Sequence, residues 1–204
     1  MYTQYNYWRS TDRVAPHNVY TNGQSLIEAL DKRGFGSKMD GPVEDPMFSF
    51  YKSEKEAQKG LDALKDVEGT IPCSHVTITY RPNAGMYIEP EYFYNEETKL
   101  YERSIYGGDQ IDKETDERVT CKNIFIMITD LHPRGDSKGH MDITTIGEGK
   151  GYYICEGKAV PVIWKKESQE DTTKWYLENG DRLVMAPGKT WISILATSTP
   201  YTLE

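Results

Sequence analysis

The 204-residue sequence is short of several things at once, and each shortage removes a class of protein. Nowhere does it run to about 18 consecutive apolar residues, so no segment reads as a membrane-spanning helix. Cysteine occurs three times, at Cys73, Cys121 and Cys155. That odd number, widely spaced and without a C-x-x-C pair, excludes a full disulfide framework and speaks against a structural zinc site; one bridge stays open. Basic runs are missing and the net charge is −8. Nucleic acid is therefore not an expected partner, because phosphate contacts need a basic surface, and electrostatic docking on an anionic bilayer is disfavoured too. There is no G-x-S-x-G elbow. No signal peptide or lipobox opens the sequence, and both ends read as boundaries within a longer chain.

What the sequence does have is aromatic residues, 12% of the chain, and 15 of them are tyrosine. Tyrosine and β-branched residues suit half-buried pleated surfaces, so the composition leans towards sheet. Two segments carry a helical period. Residues 24–33 place Leu26, Ile27 and Leu30 on one stripe, with Gly34 as a stop. Residues 53–67 open on a capping box, Ser53 and Glu56, show an apolar face of Ala57, Leu61, Leu64 and Val67, and end at Gly69. Both stripes are expected to pack into a core. Near residue 70 the period changes to two. Val76, Ile78 and Tyr80 alternate with Thr77 and Thr79, and residues 123–129 form a continuous apolar run of central-strand length. Glu156-Gly157, Asn179-Gly180 and Pro187-Gly188 read as turns between strands. The expected fold is α+β and β-rich, an antiparallel sheet or meander with one or two helices near the N-terminal part. Residues 1–70 are expected to form a mixed part and residues 71–204 an antiparallel β part, the two packing as one unit. Trp164 and Trp191 are expected in the core.

Four residues stand out chemically. Arg9, Arg13, His17 and Asn18 lie within ten positions of an irregular, Pro-containing segment. A guanidinium presents a planar fork to carboxylate or phosphate, and an imidazole exchanges a proton near neutral pH. Together they form a candidate anion site with His17 as candidate acid–base group; the structural alternative is a loop pinned by arginine hydrogen bonds. A second pattern runs through residues 130–142. Centred on Asp136, a hairpin there would bring His132 opposite His140 and Asp130 opposite Asp142, a potential metal site. Pro133 and two glycines weaken that register, so a solvated tip with no bound metal is expected. Gly147-Glu148-Gly149-Lys150-Gly151 lacks a phosphate-loop context and reads as a bend or bulge between strands. His75 reads as a structural residue on a strand face.

The segment Tyr7-x-Arg9-x-x-x-Arg13-x-Ala15-Pro16-His17-Asn18-x-Tyr20 resembles the central signature of the YerB-like lipoproteins, a bacterial family of unknown function. Further similar stretches are Tyr101-x-Arg103-Ser104, Lys122-Asn123-Ile124, Gly147-x-Gly149-Lys150, Gly157-Lys158, Trp164, Tyr176…Asn179-Gly180 and Pro187-Gly188-x-Thr190-Trp191. The resemblance implies an extracytoplasmic protein held to the membrane by a lipid anchor outside this chain. It also implies a further N-terminal half, with which any site between the halves would be completed. The expected function is a non-catalytic binding or interaction module of the cell envelope, its partner an anionic small molecule, an envelope polymer or a protein. The alternative is an enzyme on an anionic envelope polymer, using Arg9, Arg13 and His17. No cofactor is expected.

Overall fold

The structure is a computed structural model and describes residues 6–15, 18–35, 45–80, 88–137 and 139–204. The chain forms two compact units, Met1–Glu44 and Asp45–Glu204. The division falls at 44/45 rather than at the change of period near 70, because the second helix packs with the sheets.

The first unit holds β1 (Trp8–Arg9), β2 (Val19–Tyr20) and α1 (Gly23–Lys32). Asn22 caps α1 by accepting from the Ser25 backbone N–H at 2.8 Å, the usual service of an Asn before a first turn. The helix lies where its period predicts, but its stripe does not reach a core. Leu26, Ile27 and Leu30 are 43%, 45% and 38% exposed, and α1 has no buried residue. Among the described residues of this unit, one hairpin of two-residue strands stands beside the helix and none buries the stripe.

The second unit contains, in chain order, β3 (Ser49–Phe50), α2 (Glu54–Ala63), a 3₁₀ turn (Leu64–Asp66), β4 (Ile71–Pro72), β5 (His75–Ile78), β6 (Glu91–Asn95), β7 (Leu100–Ile105), β8 (Gly108–Asp109), β9 (Thr120–Cys121), β10 (Asn123–Thr129), β11 (Leu131–Pro133), β12 (Met141–Ile143), β13 (Gly147–Cys155), β14 (Lys158–Lys166), β15 (Lys174–Leu177), β16 (Val184–Met185), β17 (Thr190–Ala196) and β18 (Tyr201–Leu203). A central sheet runs β15-β14-β13-β10-β17, with β4 on the flank of β14. A second sheet runs β18-β5-β6-β7-β8, with β9 beside β7. The fold is α+β and β-rich. Its one departure from an antiparallel meander within the central sheet is the parallel pairing of β10 with β17, from Asn123↔Thr190 to Thr129↔Ala196.

β10 explains the architecture. Its side chains alternate between two cores: Phe125 and Met127 face a cluster with Leu61, Leu64, Trp164 and Trp175, while Ile124 and Ile126 face one with Val76, Ile78, Tyr92 and Tyr101. The central sheet is thus covered by α2 on one face and by the second sheet on the other. A strand buried on both faces needs an unbroken apolar run rather than alternation. Trp164 is 2% exposed, and its indole N–H donates to the Ile128 carbonyl at 2.9 Å. Trp191 is largely buried as expected, packed against the second cluster, though less completely enclosed than Trp164. It lies at the start of β17, with the Arg103 guanidinium 4.1 Å from its ring centre.

Residues 147–151 are not a bulge. They begin the nine-residue β13 and pair in regular register with β14 from Gly147↔Lys166 to Gly151↔Val162. Gly147 has a positive φ with open space around it, whereas Gly149 and Gly151 answer to close approach. A Cβ on Gly149 would lie 2.6 Å from the Trp164 indole nitrogen, and one on Gly151 would collide with the Ile126 carbonyl oxygen.

Candidate ligand-binding site

In the first unit the structure brings Arg9 and Asn18 together. Arg9 donates to the Asn18 side-chain oxygen at 2.7 Å, and the Asn18 amide donates to the Ser10 carbonyl at 2.9 Å. The Ser10 backbone N–H in turn donates to the Asn18 carbonyl at 2.8 Å. Asn18 is buried, so it orients the exposed guanidinium of Arg9 from beneath. Trp8 and Tyr20 stack across the hairpin with ring centres 6.3 Å apart. Tyr7, Trp8, Arg9 and Val19 line a depression of about 450 Å³. Arg13 is exposed. Pro16 and His17 lie outside the described residues.

The 130–142 hairpin forms, with β11 pairing β12, but its centre is one residue beyond Asp136. His132 opposes Asp142 rather than His140. Arg134 holds Asp142 at 2.5 Å, and His140 pairs with Asp136. The predicted four-way convergence therefore does not occur, because Pro133 and the following turn shift the register. Among the described residues no three His, Cys, Asp or Glu side chains gather as metal ligands. His75 is tied to Glu91 at 3.1 Å and stacked on Phe93 at 4.3 Å, as expected of a strand-face residue. The three cysteines are free and buried.

A cavity of about 600 Å³ lies in the second unit beside α2. Five chain segments build it. β3 pairs in parallel with β16, and the Tyr51 N–H donates to the Met185 carbonyl at 3.1 Å, which sets Tyr51 and Lys52 beside Ala186 and Pro187. Ser53 caps α2 at 3.3 Å, and Glu56 reaches back to the Lys52 N–H at 3.2 Å, so the helix start is already satisfied. The β6–β7 turn supplies Lys99 and the β13–β14 turn supplies Glu156. Lys122, just before β10, joins them, its ammonium 2.6 Å from the Glu156 carboxylate. These two side chains are 16% and 10% exposed. Gly188 holds Lys122 in place: a Cβ there would lie 2.6 Å from the Lys122 Cβ.

Lys99 and Glu156 share an unusual feature. Their φ angles are +60° and +47°, the left-handed region where glycine or asparagine is normally found. Tyr106 and Asp116 adopt the same region in other turns, and such backbone costs on the order of 1 kcal/mol per residue, offset by the surrounding structure. The Lys99 and Glu156 side chains line the same cavity. The cavity is also locally positive in an acidic chain: Lys52, Lys99 and Lys122 stand against Glu54 and Glu156. Tyr51, Ala57, Leu61 and Pro187 add apolar and aromatic wall. Burial, followed by the charge of Glu156, pushes the Tyr94 hydroxyl behind this turn up to about 12.

Residues 76–192 match the family described as protein of unknown function (DUF3048), C-terminal domain. The chain belongs to this family. Within it, the chain is 28% identical over 189 residues to the Bacillus subtilis (strain 168) protein named "Putative lipoprotein YerB". That alignment covers 93% of this chain and 51% of the relative. The crystal structure of YerB protein from Bacillus subtilis superposes with a TM-score of 0.73 at 25% identity, covering 97% of this chain and 59% of that one. The chain therefore spans about half the length of this relative. Reasoning from sequence singled out the hairpin in the first unit and passed over the cavity in the second. A signal for the cavity was present, since Lys122-Asn123, Gly157-Lys158 and Pro187-Gly188 are stretches of the family resemblance and all fall at or next to its wall.

Proposed function

We propose that this DUF3048 chain is a non-catalytic binding module of a bacterial cell-envelope lipoprotein, acting outside the cytoplasmic membrane on a ligand with an anionic group. The supporting observation is the cavity of about 600 Å³ in the second unit, with its three lysines and its left-handed Lys99 and Glu156. Concave sites lined by apolar wall and a few placed charges are where ligands are usually held. The lipoprotein relative supports the location. Arg9, Arg13 and His17 form a second anion contact in the same proposal, with Asn18 orienting Arg9. The test is incubation of the whole chain with a phosphate-bearing polyol polymer and with a carboxylate-bearing polysaccharide. The chain should gain thermal stability with at least one, because selective binding to the native state raises the melting temperature, and the polymer should be recovered at its original length. Shortened polymer would establish the rival, an enzyme using His17 as general acid or base. No stabilisation by either polymer would sink the binding reading.

A further inference from the structure

We infer that the cavity beside α2 is a phosphate-group pocket in which Glu156 stands in for the ligand when the pocket is empty. This rests on the binding reading above and names the chemistry of its site. Glu156 is held in a conformation unfavourable for a glutamate, at φ +47°, with its carboxylate 2.6 Å from the Lys122 ammonium. A turn of this kind is best filled by Asn or Gly at that position, so the backbone does not ask for glutamate. Lys122 does: an ammonium this enclosed requires an anion beside it. Lys99 repeats the pattern from the facing hairpin, a long cation at φ +60° where a small residue would relieve the backbone. Lys122 further binds the Lys99 carbonyl at 3.3 Å, which couples the two turns.

The occupant follows from the charges. With Glu156 swung aside, Lys52, Lys99 and Lys122 face one remaining carboxylate, Glu54. Two positive charges in excess match the dianion of a phosphate monoester. Lysines bind phosphate as point charges, so the excess of charge rather than a planar fork sets the preference for a dianion over a singly charged carboxylate. Tyr51, Leu61 and Pro187 then accommodate a small, weakly polar body attached to the phosphate.

The experiment uses the whole chain with glycerol 3-phosphate and inorganic phosphate as probes, read by calorimetry and thermal shift, with acetate as a carboxylate control. Glu156→Gln should lower the melting temperature without probe, since it strands Lys122, and phosphate should restore it. The same variant should bind glycerol 3-phosphate about tenfold tighter than the parent, because the internal competitor has lost its charge. Lys122→Ala should weaken binding about tenfold or more, the size of one lost charge-assisted hydrogen bond. Lys99→Gly gives the readout that a structural role would not: it relieves the left-handed backbone, so the chain should be at least as stable as the parent yet bind the probe about tenfold more weakly. The inference is overturned if Glu156→Gln is destabilised but not rescued by phosphate, if Lys99→Gly binds like the parent, or if acetate binds as well as the phosphate probes. Should both phosphate probes fail while an envelope polymer still stabilises the chain, the pocket's chemistry is wrong and the binding reading survives. Should the polymers fail too, both fall.

Discussion

At the scale of single residues, the core makes sharp demands, and three predictions follow from them. Trp164 is packed on Gly149 and bonded to the Ile128 carbonyl, so Trp164→Ala should cost roughly 3–5 kcal/mol in denaturant unfolding. Trp191→Ala should cost less, because its ring is less completely buried and lies over the Arg103 guanidinium. Equal losses for the two would contradict this packing. Gly151→Ala should be more destabilising than Gly149→Ala. The added methyl meets the fixed backbone of Ile126 at the first site and an indole that can shift slightly at the second. The thiols set the alkaline limit. Burial pushes Cys73 and Cys121 up to about 12 and Cys155 up to about 11, against an ordinary 9.0. Between those values the unfolded chain releases protons that the folded chain keeps. The stability these thiols contribute is therefore whole below about pH 9 and is lost as pH rises through the folded values, by up to roughly 1 kcal/mol per pH unit for each thiol. Denaturant midpoints at about pH 8 and about pH 10 should show the fall; unchanged midpoints would mean that the thiols are not buried.

At the scale of elements, what was legible in the sequence depended on whether a signal was local. The period of residues 53–67, the Ser53 cap and the Glu156-Gly157 turn are local, and α2 and the β13–β14 hairpin form where they point. The run from Asn123 to Thr129 identified a central strand, since burial on both faces explains its five consecutive apolar residues, Ile124 to Ile128. Partners are not local. Nothing in residues 190–196 says that β17 returns beside β10 in parallel, nor does the period of α1 say that its stripe stays exposed. The glycines of residues 147–151 were misread for the same reason: glycine signals either a bend or a close neighbour, and Trp164 is 15 residues away from Gly149 in sequence. At the other end of the chain, β18 closes the second sheet. Its residues pair with β5, and the Glu204 and His75 backbones exchange bonds of 2.9 and 2.8 Å. Ending the chain before Tyr201 should expose the β5 edge, lower the melting temperature and promote self-association visible by light scattering. An unchanged melting temperature would mean that β18 adds nothing to the sheet.

At the scale of the molecule, the division into two units accounts for why the candidate site was only partly legible. The sequence cluster of Arg9, Arg13, His17 and Asn18 is contiguous, so it was easy to see, and the structure confirms one contact in it, between Arg9 and Asn18. The cavity draws Lys52, Lys99, Lys122 and Glu156 from four separate segments, which no short motif can show. Two of them, Lys99 and Glu156, sit at left-handed turn positions, a conformation that Tyr106 and Asp116 also adopt away from the cavity. The second unit has both cores and the whole cavity within Asp45–Glu204. The most direct test of the binding account is an amide NMR titration of the uniformly labelled whole chain with glycerol 3-phosphate. The account predicts saturable shifts concentrated at Lys52, Lys99, Lys122 and Glu156. Shifts confined to the Arg9–Asn18 hairpin, or no saturable shift in the second unit, would contradict it.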